Sequence, residues 1–198
     1  MSEPLPKIYL VRHGETAWSV EGRHTGRTDI PLTEQGERNA ERLRTRLQGI
    51  QPVKALCSPL QRARRTCELA GFGDNMQIEP DLTEWDYGDY EGRTTAEIRR
   101  ERQRWSLFRD GCPNGETVEQ VGIRADRVIR RVRELDSDAI LFAHGHMLRI
   151  LAARWISLPP RDAALFALSP AAVSIVSYEH TRDEPAITLW NDVTDDNQ

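Results

Sequence analysis

The chain has 198 residues, of which 38% are hydrophobic and 29% charged, and its formal net charge is −4. That length fits one domain spanning 1–198 with a packed core, and the composition excludes a disordered chain. The acidic balance argues against nucleic acid as a partner, so any anion site has to be assembled locally.

Residues 7–11 read as a short buried strand bounded by Pro6 and Gly14. The glycines and proline of 14–32 predict a loop, with Gly14 letting the chain turn and a ligand approach the backbone. Thr33 can cap a helix that lines up Ala40, Leu43 and Leu47. A second strand is expected at 53–58, ending at Ser58-Pro59, and a helix over 60–69 follows. Residues 71–95 look irregular. Residues 94–108 are helix-like and charged, and 109–116 form a turn.

From Thr117 a long helix is clear, because Val121, Ala125, Val128, Val132 and Leu135 recur at helical spacing. Its arginines, among them Arg124, Arg127, Arg130, Arg131 and Arg133, read as a solvated outer face. A third buried strand, 139–143, runs into His144-Gly145-His146, and helical spacing resumes over 147–156. Two late strands around a turn at 182–185 read as a hairpin, and the acidic tail at 191–198 as frayed. Residues 163–168 are expected to be core. Strand–helix alternation predicts an α/β fold: three α/β/α layers, a mainly parallel central sheet and helices on both faces. In such sheets ligands collect at the carboxyl ends of the strands.

Three features therefore point at one another: Arg12-His13 after the first strand, Ser58 and Arg62 after the second, and His144 with His146 after the third. Two arginines offer forked donors that match a phosphoryl group. A neutral histidine is a competent nucleophile toward phosphorus. Glu84, beside Trp85 and Tyr87, supplies an acid whose apolar surroundings are expected to raise its pKa. Taken singly, each is the ordinary polar end of a strand or start of a helix.

The motifs in order are LVRHGET, HTGRTDIPLTEQG, CSPLQRARRT, EWDYGDYEG, GET and AHGH. Together they resemble the histidine phosphatase superfamily, the cofactor-dependent phosphoglycerate mutases and their phosphatase relatives. The blocks around Trp85, Cys112 and His146 look closest to its branch of sedoheptulose-bisphosphatase-like enzymes and acid phosphatases.

The resemblance implies a phosphomonoester hydrolase acting on sugar phosphates or bisphosphates, without metal or cofactor. It makes His13 the phosphorylated nucleophile and Arg12, Arg62 and His144 the phosphoryl ligands. Glu84 becomes the proton donor, and Tyr87, Thr25 and Gly26 substrate contacts. Gly145 could offer a backbone N–H to a phosphate oxygen. Ser19 stands where the family often has asparagine, as His146 does after the late His-Gly. A second substrate phosphate needs a further cation, for which Arg23, His24, Arg93 and Arg109 are candidates by loop position.

The alternative is a mutase with the same phosphohistidine, for which the chain is short. A phosphate-binding module would not need the acid. A metal site of His13, His144 and His146 conflicts with the adjacent Arg12. The expected partner is a phosphorylated small molecule, not a nucleic acid or a membrane. The sequence leaves the oligomeric state open, a homodimer included. The N-terminus has no signal-peptide pattern, and no apolar stretch approaches the ~18 residues of a span, so the expected location is the cytoplasm. Cys57, Cys67 and Cys112 lack metal or CxxC spacing and read as free thiols.

Overall fold

The computed structural model describes residues 4–52 and 54–193. Val53, where the second strand was expected to begin, and the end of the acidic tail lie outside those residues. Among the described residues one sheet is formed by β1 (Ile8–Arg12), β2 (Lys54–Cys57), β3 (Met76–Ile78), β4 (Ala139–Ala143), β5 (Val173–Tyr178) and β6 (Pro185–Asp192). Its order is β3-β2-β4-β1-β5-β6. The first four are mutually parallel, and β5 and β6 run antiparallel as the expected hairpin.

The helices are α1 (Ala17–Glu21), α2 (Glu34–Arg46), α3 (Gln61–Leu69), α4 (Thr95–Glu101), α5 (Leu107–Asp110), α6 (Val118–Glu134) and α7 (Gly145–Trp155). Their ends follow local chemistry. The Thr33 hydroxyl accepts from the Gly36 N–H at 3.0 Å to start α2. A capping box of Thr117 and Gln120 starts α6.

The two sheet faces explain the three layers. Ile8, Leu10 and Leu141 pack with Val121, Ala125 and Val128 of α6 and Leu148 and Leu151 of α7. Tyr9, Val11, Ile140 and Phe142 alternate to the other face, against Leu43 of α2 and Ala63 and Cys67 of α3. A strand covered on both sides has no polar face, hence the unbroken apolar runs. Truncating fully buried Leu10 to alanine is worth roughly 2–5 kcal/mol.

Four local expectations change. The 14–32 loop contains α1, capped by Thr16 and Ser19. The 71–95 stretch contains β3 and three short 3-10 turns besides irregular chain. The 94–108 helix is two helices, broken where Arg104 takes a positive φ of 63° and Trp105 turns into the core. In 163–168, Ala163 and Leu168 are buried, but Leu165 is 81% exposed, so that segment is core only in part.

Strand register sets the site. Arg12 lies opposite Ala143 and Cys57 opposite Phe142. The next N–H groups continue the ladder, His13 to the Ala143 carbonyl and Ser58 to the Phe142 carbonyl, each at 3.0 Å. His13, Ser58 and His144 therefore leave the sheet at one level, on its carboxyl edge. Gly14 serves a different purpose from the one its sequence suggested. A Cβ there would meet the Gly36 carbonyl oxygen at 2.5 Å, so the glycine lets the strand end lie against the start of α2.

Candidate active site

A cavity of about 270 Å³ opens at this edge, lined by Arg12, His13, Ser19, Thr25, Glu84, Tyr87, Gly145 and His146 among others. His13 is almost wholly buried, and its Nδ1 lies 2.7 Å from the Gly14 carbonyl oxygen. A carbonyl only accepts, so Nδ1 carries the proton and Nε2 keeps the lone pair. Burial, then the charges of Arg62 and Arg12, hold the His13 pKa well below the usual histidine value. The ring is therefore neutral and nucleophilic across the physiological range.

Arg12 enters from the last position of β1. One Nη donates to the Leu168 carbonyl, while its buried Nε has no hydrogen-bond partner. An unmet buried donor is costly unless a ligand satisfies it. Gly145 makes room for it, since a Cβ there would sit 3.3 Å from the guanidinium carbon. Gly145 thus lines the cavity as the first residue of α7 and shapes the seat of Arg12.

Arg62 and His144 do not line the cavity; they form the fully buried layer behind it. The Arg62 guanidinium donates to the carbonyls of Thr28 (3.0 Å), Thr25 (3.1 Å) and Gly26 (2.9 Å), and its Nε to His144 Nδ1 at 3.2 Å. That fixes the His144 tautomer, so Nε2 carries the proton and faces the Ser58 hydroxyl at 2.7 Å. The His13 and His144 ring centroids are 5.1 Å apart. Both nitrogens of His144 are engaged by protein groups, Nδ1 by Arg62 and Nε2 by Ser58.

Glu84 faces the strand ends from a loop. Its carboxylate accepts from the backbone N–H groups of Trp85 (2.9 Å), His146 (3.1 Å) and Met147 (3.0 Å). Two of these belong to the first turn of α7, so Glu84 caps that helix, which explains why α7 starts at Gly145 and not at 147. The expectation of a raised pKa is corrected here. Burial does push it up, but His146 at 3.8 Å and the Trp85 N–H outweigh it, leaving the resting Glu84 well below the usual carboxylate range.

The remaining sequence candidates divide. Tyr87 is buried and its hydroxyl lies 2.6 Å from His146 Nδ1. Ser19 lines the cavity, yet its hydroxyl is occupied by the Thr16 backbone in the α1 cap. Thr25 lines it with Oγ1 turned to the Arg23 carbonyl at 3.2 Å. Gly26 lies behind; a Cβ there would strike the Trp85 carbonyl oxygen at 2.5 Å, and its own carbonyl holds Arg62.

Of the cations considered for a second phosphate, Arg23 and His24 reach the cavity. Arg23 is paired with Glu21, and burial with the neighbouring His146 pushes His24 down to about 4. Arg93 and Arg109 lie elsewhere, paired with Glu101 and Asp110. Sequence reasoning missed Arg149, which lines the cavity from α7, three residues after His146. Spacing of i, i+3 from a site histidine was the signal available. No helix among the described residues is long and apolar enough to cross a membrane.

Comparison with known proteins agrees with this geometry. The histidine phosphatase superfamily (branch 1) matches residues 8–193. An acid phosphatase of Mycobacterium tuberculosis is 41% identical over 179 residues, 88% of this chain and 87% of the relative. A sedoheptulose 1,7-bisphosphatase of Saccharomyces cerevisiae is 34% identical, covering 93% of this chain and 92% of the relative. The solved structure of an open reading frame from Mycobacterium tuberculosis superposes with a TM-score of 0.89 at 38% identity, over 94% of this chain and 97% of that one. The chain belongs to the histidine phosphatase superfamily and is a phosphoric monoester hydrolase of the histidine type.

Proposed function

We propose that the cavity hydrolyses phosphomonoesters through a phosphohistidine on His13, with sugar phosphates or bisphosphates as the substrate class. The observation that carries this reading is the pairing of a neutral His13, its Nε2 free, with the orphaned Arg12 Nε in one cavity. The sedoheptulose 1,7-bisphosphatase and acid phosphatase among its relatives support the substrate class.

In the proposed reaction His13 Nε2 attacks phosphorus, a P–N bond forms and the ester P–O bond breaks. Glu84 gives its proton to the departing oxygen. Its resting form is ionised, so the proton arrives with the substrate: an incoming phosphoryl anion beside Glu84 favours the neutral acid, and a monoanionic ester brings a proton with it. Water then attacks the phosphohistidine: Glu84 takes a proton from that water, a P–O bond forms, and the P–N bond breaks to release phosphate and restore His13. Arg12 holds the equatorial oxygens directly. Arg62 contributes its positive field from behind and keeps His13 neutral, while His144 is locked by Arg62 and Ser58 as the inner wall.

Trapping tests the reading. Denaturing quench during turnover should yield an acid-labile, alkali-stable phosphoenzyme that is absent from His13→Ala. A phosphate-releasing enzyme with no such species overturns it. Running 3-phosphoglycerate in the same panel, with readout of isomer exchange as well as phosphate release, separates hydrolase from mutase.

A further inference from the structure

We propose that Asn191 and Trp190, on the edge strand β6, are positioning residues for Arg12: they hold the loop whose Leu168 carbonyl fixes the Arg12 guanidinium in the cavity. The proposal rests on the phosphatase reading above, in which Arg12 meets the phosphoryl group, and it extends the working parts of the site to a strand two places along the sheet.

Little else holds Arg12. Among the described residues its guanidinium makes one hydrogen bond, from Nη1 to the Leu168 carbonyl, and its buried Nε makes none. Gly145 gives it room without holding it. An arginine has several rotatable bonds, so a guanidinium held at one point is only as well placed as that point. Leu168, which supplies the point, lines the cavity itself.

β6 grips the peptide that carries this carbonyl. The Leu168 carbonyl and the Ser169 N–H belong to one planar peptide unit and point to opposite sides of it. That N–H donates to Asn191 Oδ1 at 2.7 Å. Fixing one edge of the plane fixes the direction of the other, and the bond also polarises the carbonyl towards Arg12. The preceding peptide is held as well, since Trp190 Nε1 donates to the Ala167 carbonyl at 2.7 Å. The Trp190 ring lies beside that of Phe166, with centroids 5.2 Å apart.

The strand is shaped for this contact. Val173 of β5 lies opposite Asp192 and Ile175 opposite Leu189, so β6 uses one residue more than β5 over that stretch. Such a bulge re-aims a side chain. Asn191 takes a positive φ of 53°, a conformation that asparagine tolerates better than most residues. The bulge is itself anchored: the Asn191 N–H donates to Ser174 Oγ at 3.0 Å, and Arg46 of α2 holds Asp192 at 2.8 Å. Asn191 opens the tail that the sequence reads as frayed, yet here it is bonded to the sheet. The other end of the loop is tied to β1, by the Ala171 N–H to the His13 carbonyl at 3.1 Å and the Arg12 N–H to the Ala172 carbonyl at 3.2 Å. The competing account is a plain fastening of the sheet edge, which would alter stability and leave phosphate binding unchanged.

Substitutions separate the two accounts. Asn191→Gly keeps the left-handed backbone and removes Oδ1, whereas Asn191→Asp keeps an oxygen acceptor there. Trp190→Phe keeps a ring against Phe166 and removes the N–H. On 4-nitrophenyl phosphate, well below the Tm of every variant, Asn191→Gly should lower kcat/KM about tenfold, since small misplacements of a binding group cost that much or more. Trp190→Phe should lower it about threefold, and Asn191→Asp should recover most of the Asn191→Gly loss. Losses below about twofold in both Asn191→Gly and Trp190→Phe overturn the proposal, whatever happens to Tm. So does an Asn191→Asp variant as slow as Asn191→Gly.

A turnover-free measurement keeps this proposal separate from the phosphatase reading. Inorganic phosphate is titrated calorimetrically into His13→Ala and into Arg12→Ala, each with and without Asn191→Gly. In the His13→Ala background Asn191→Gly should weaken binding more than about threefold. In the Arg12→Ala background it should add less than about twofold, because the side chain it acts through is gone. Equal weakening in both backgrounds, or none in either, means that Asn191 does not act through Arg12 and sinks the proposal. Wild type that releases phosphate from no ester would sink the phosphatase reading while leaving this binding result to stand or fall alone.

Discussion

Two cavities of this protein make opposite use of their charges. The larger, about 540 Å³, is lined by Arg109, Asp110, Glu116, Arg161 and Asp162 among others. Most of its ions are matched: Arg109 with Asp110 at 2.7 Å, Glu116 with Arg124 at 2.8 Å, and Arg161 with Asp162 at 3.9 Å. The smaller, about 270 Å³, holds Arg12 and Arg149 with no carboxylate in ion-pair distance, and a histidine kept neutral by burial. Volume does not locate the chemistry here. Arginines without an ion-pair partner beside a free imidazole lone pair do, because an anionic substrate can complete them.

Substitutions in the two cavities can break that contrast. The largest effect is expected from His13→Ala, which should take turnover of 4-nitrophenyl phosphate to background, roughly a 10⁴-fold loss or more. A variant retaining even a few per cent of activity would move the nucleophile elsewhere.

Next is Glu84→Gln. Its loss should reach about 10²–10⁴-fold on alkyl phosphates, and be much smaller on an aryl phosphate whose leaving group needs no proton. Equal losses on both would reduce Glu84 to the cap of α7.

The buried imidazoles predict a stability effect of smaller size. The native pKa of His24 is about 4 against 6.5 for the free side chain, so below pH 6.5 the unfolded chain takes up a proton that the native state refuses until about pH 4. Stability should therefore fall as pH drops from 6.5 towards 4, by at most about 3 kcal/mol from this group. His13 and His144 add in the same direction, since both are also depressed. Thermal unfolding across that range checks it, and a His24→Phe variant should flatten the slope. An unaltered slope removes His24 from the account.

The smallest effect belongs to the larger cavity. Arg109→Ala should leave kcat/KM within about twofold on every ester, in keeping with an exposed ion pair. A selective loss on bisphosphates would return Arg109 to the role its sequence position first offered.

The layered fold was legible because both-face burial writes itself into local pattern: unbroken apolar strands at 8–11 and 139–143, and helical spacing from Val121 to Val132. The central groups were legible because each directly follows a strand or opens a helix, where chain direction alone puts them on one edge. Other features failed for identifiable reasons. The 94–108 helix was broken by burial of Trp105, a long-range demand that helix propensity does not carry. Gly14 was assigned to ligand approach, while its neighbour proved to be Gly36.

The sequence by itself determined the class of this protein: an α/β sheet whose strand ends present arginine and histidine, with an acid from a later loop, in an order specific to histidine phosphatases. Only tertiary structure decided which of those groups line the cavity and in what protonation state. Arg62 and His144 moved behind the wall, Glu84 became an ionised helix cap, and Arg149 came into the cavity unpaired. The physical reason is that periodicity reports which face of an element is buried, while counter-ions, tautomers and pKa values depend on atoms brought together from distant parts of the chain.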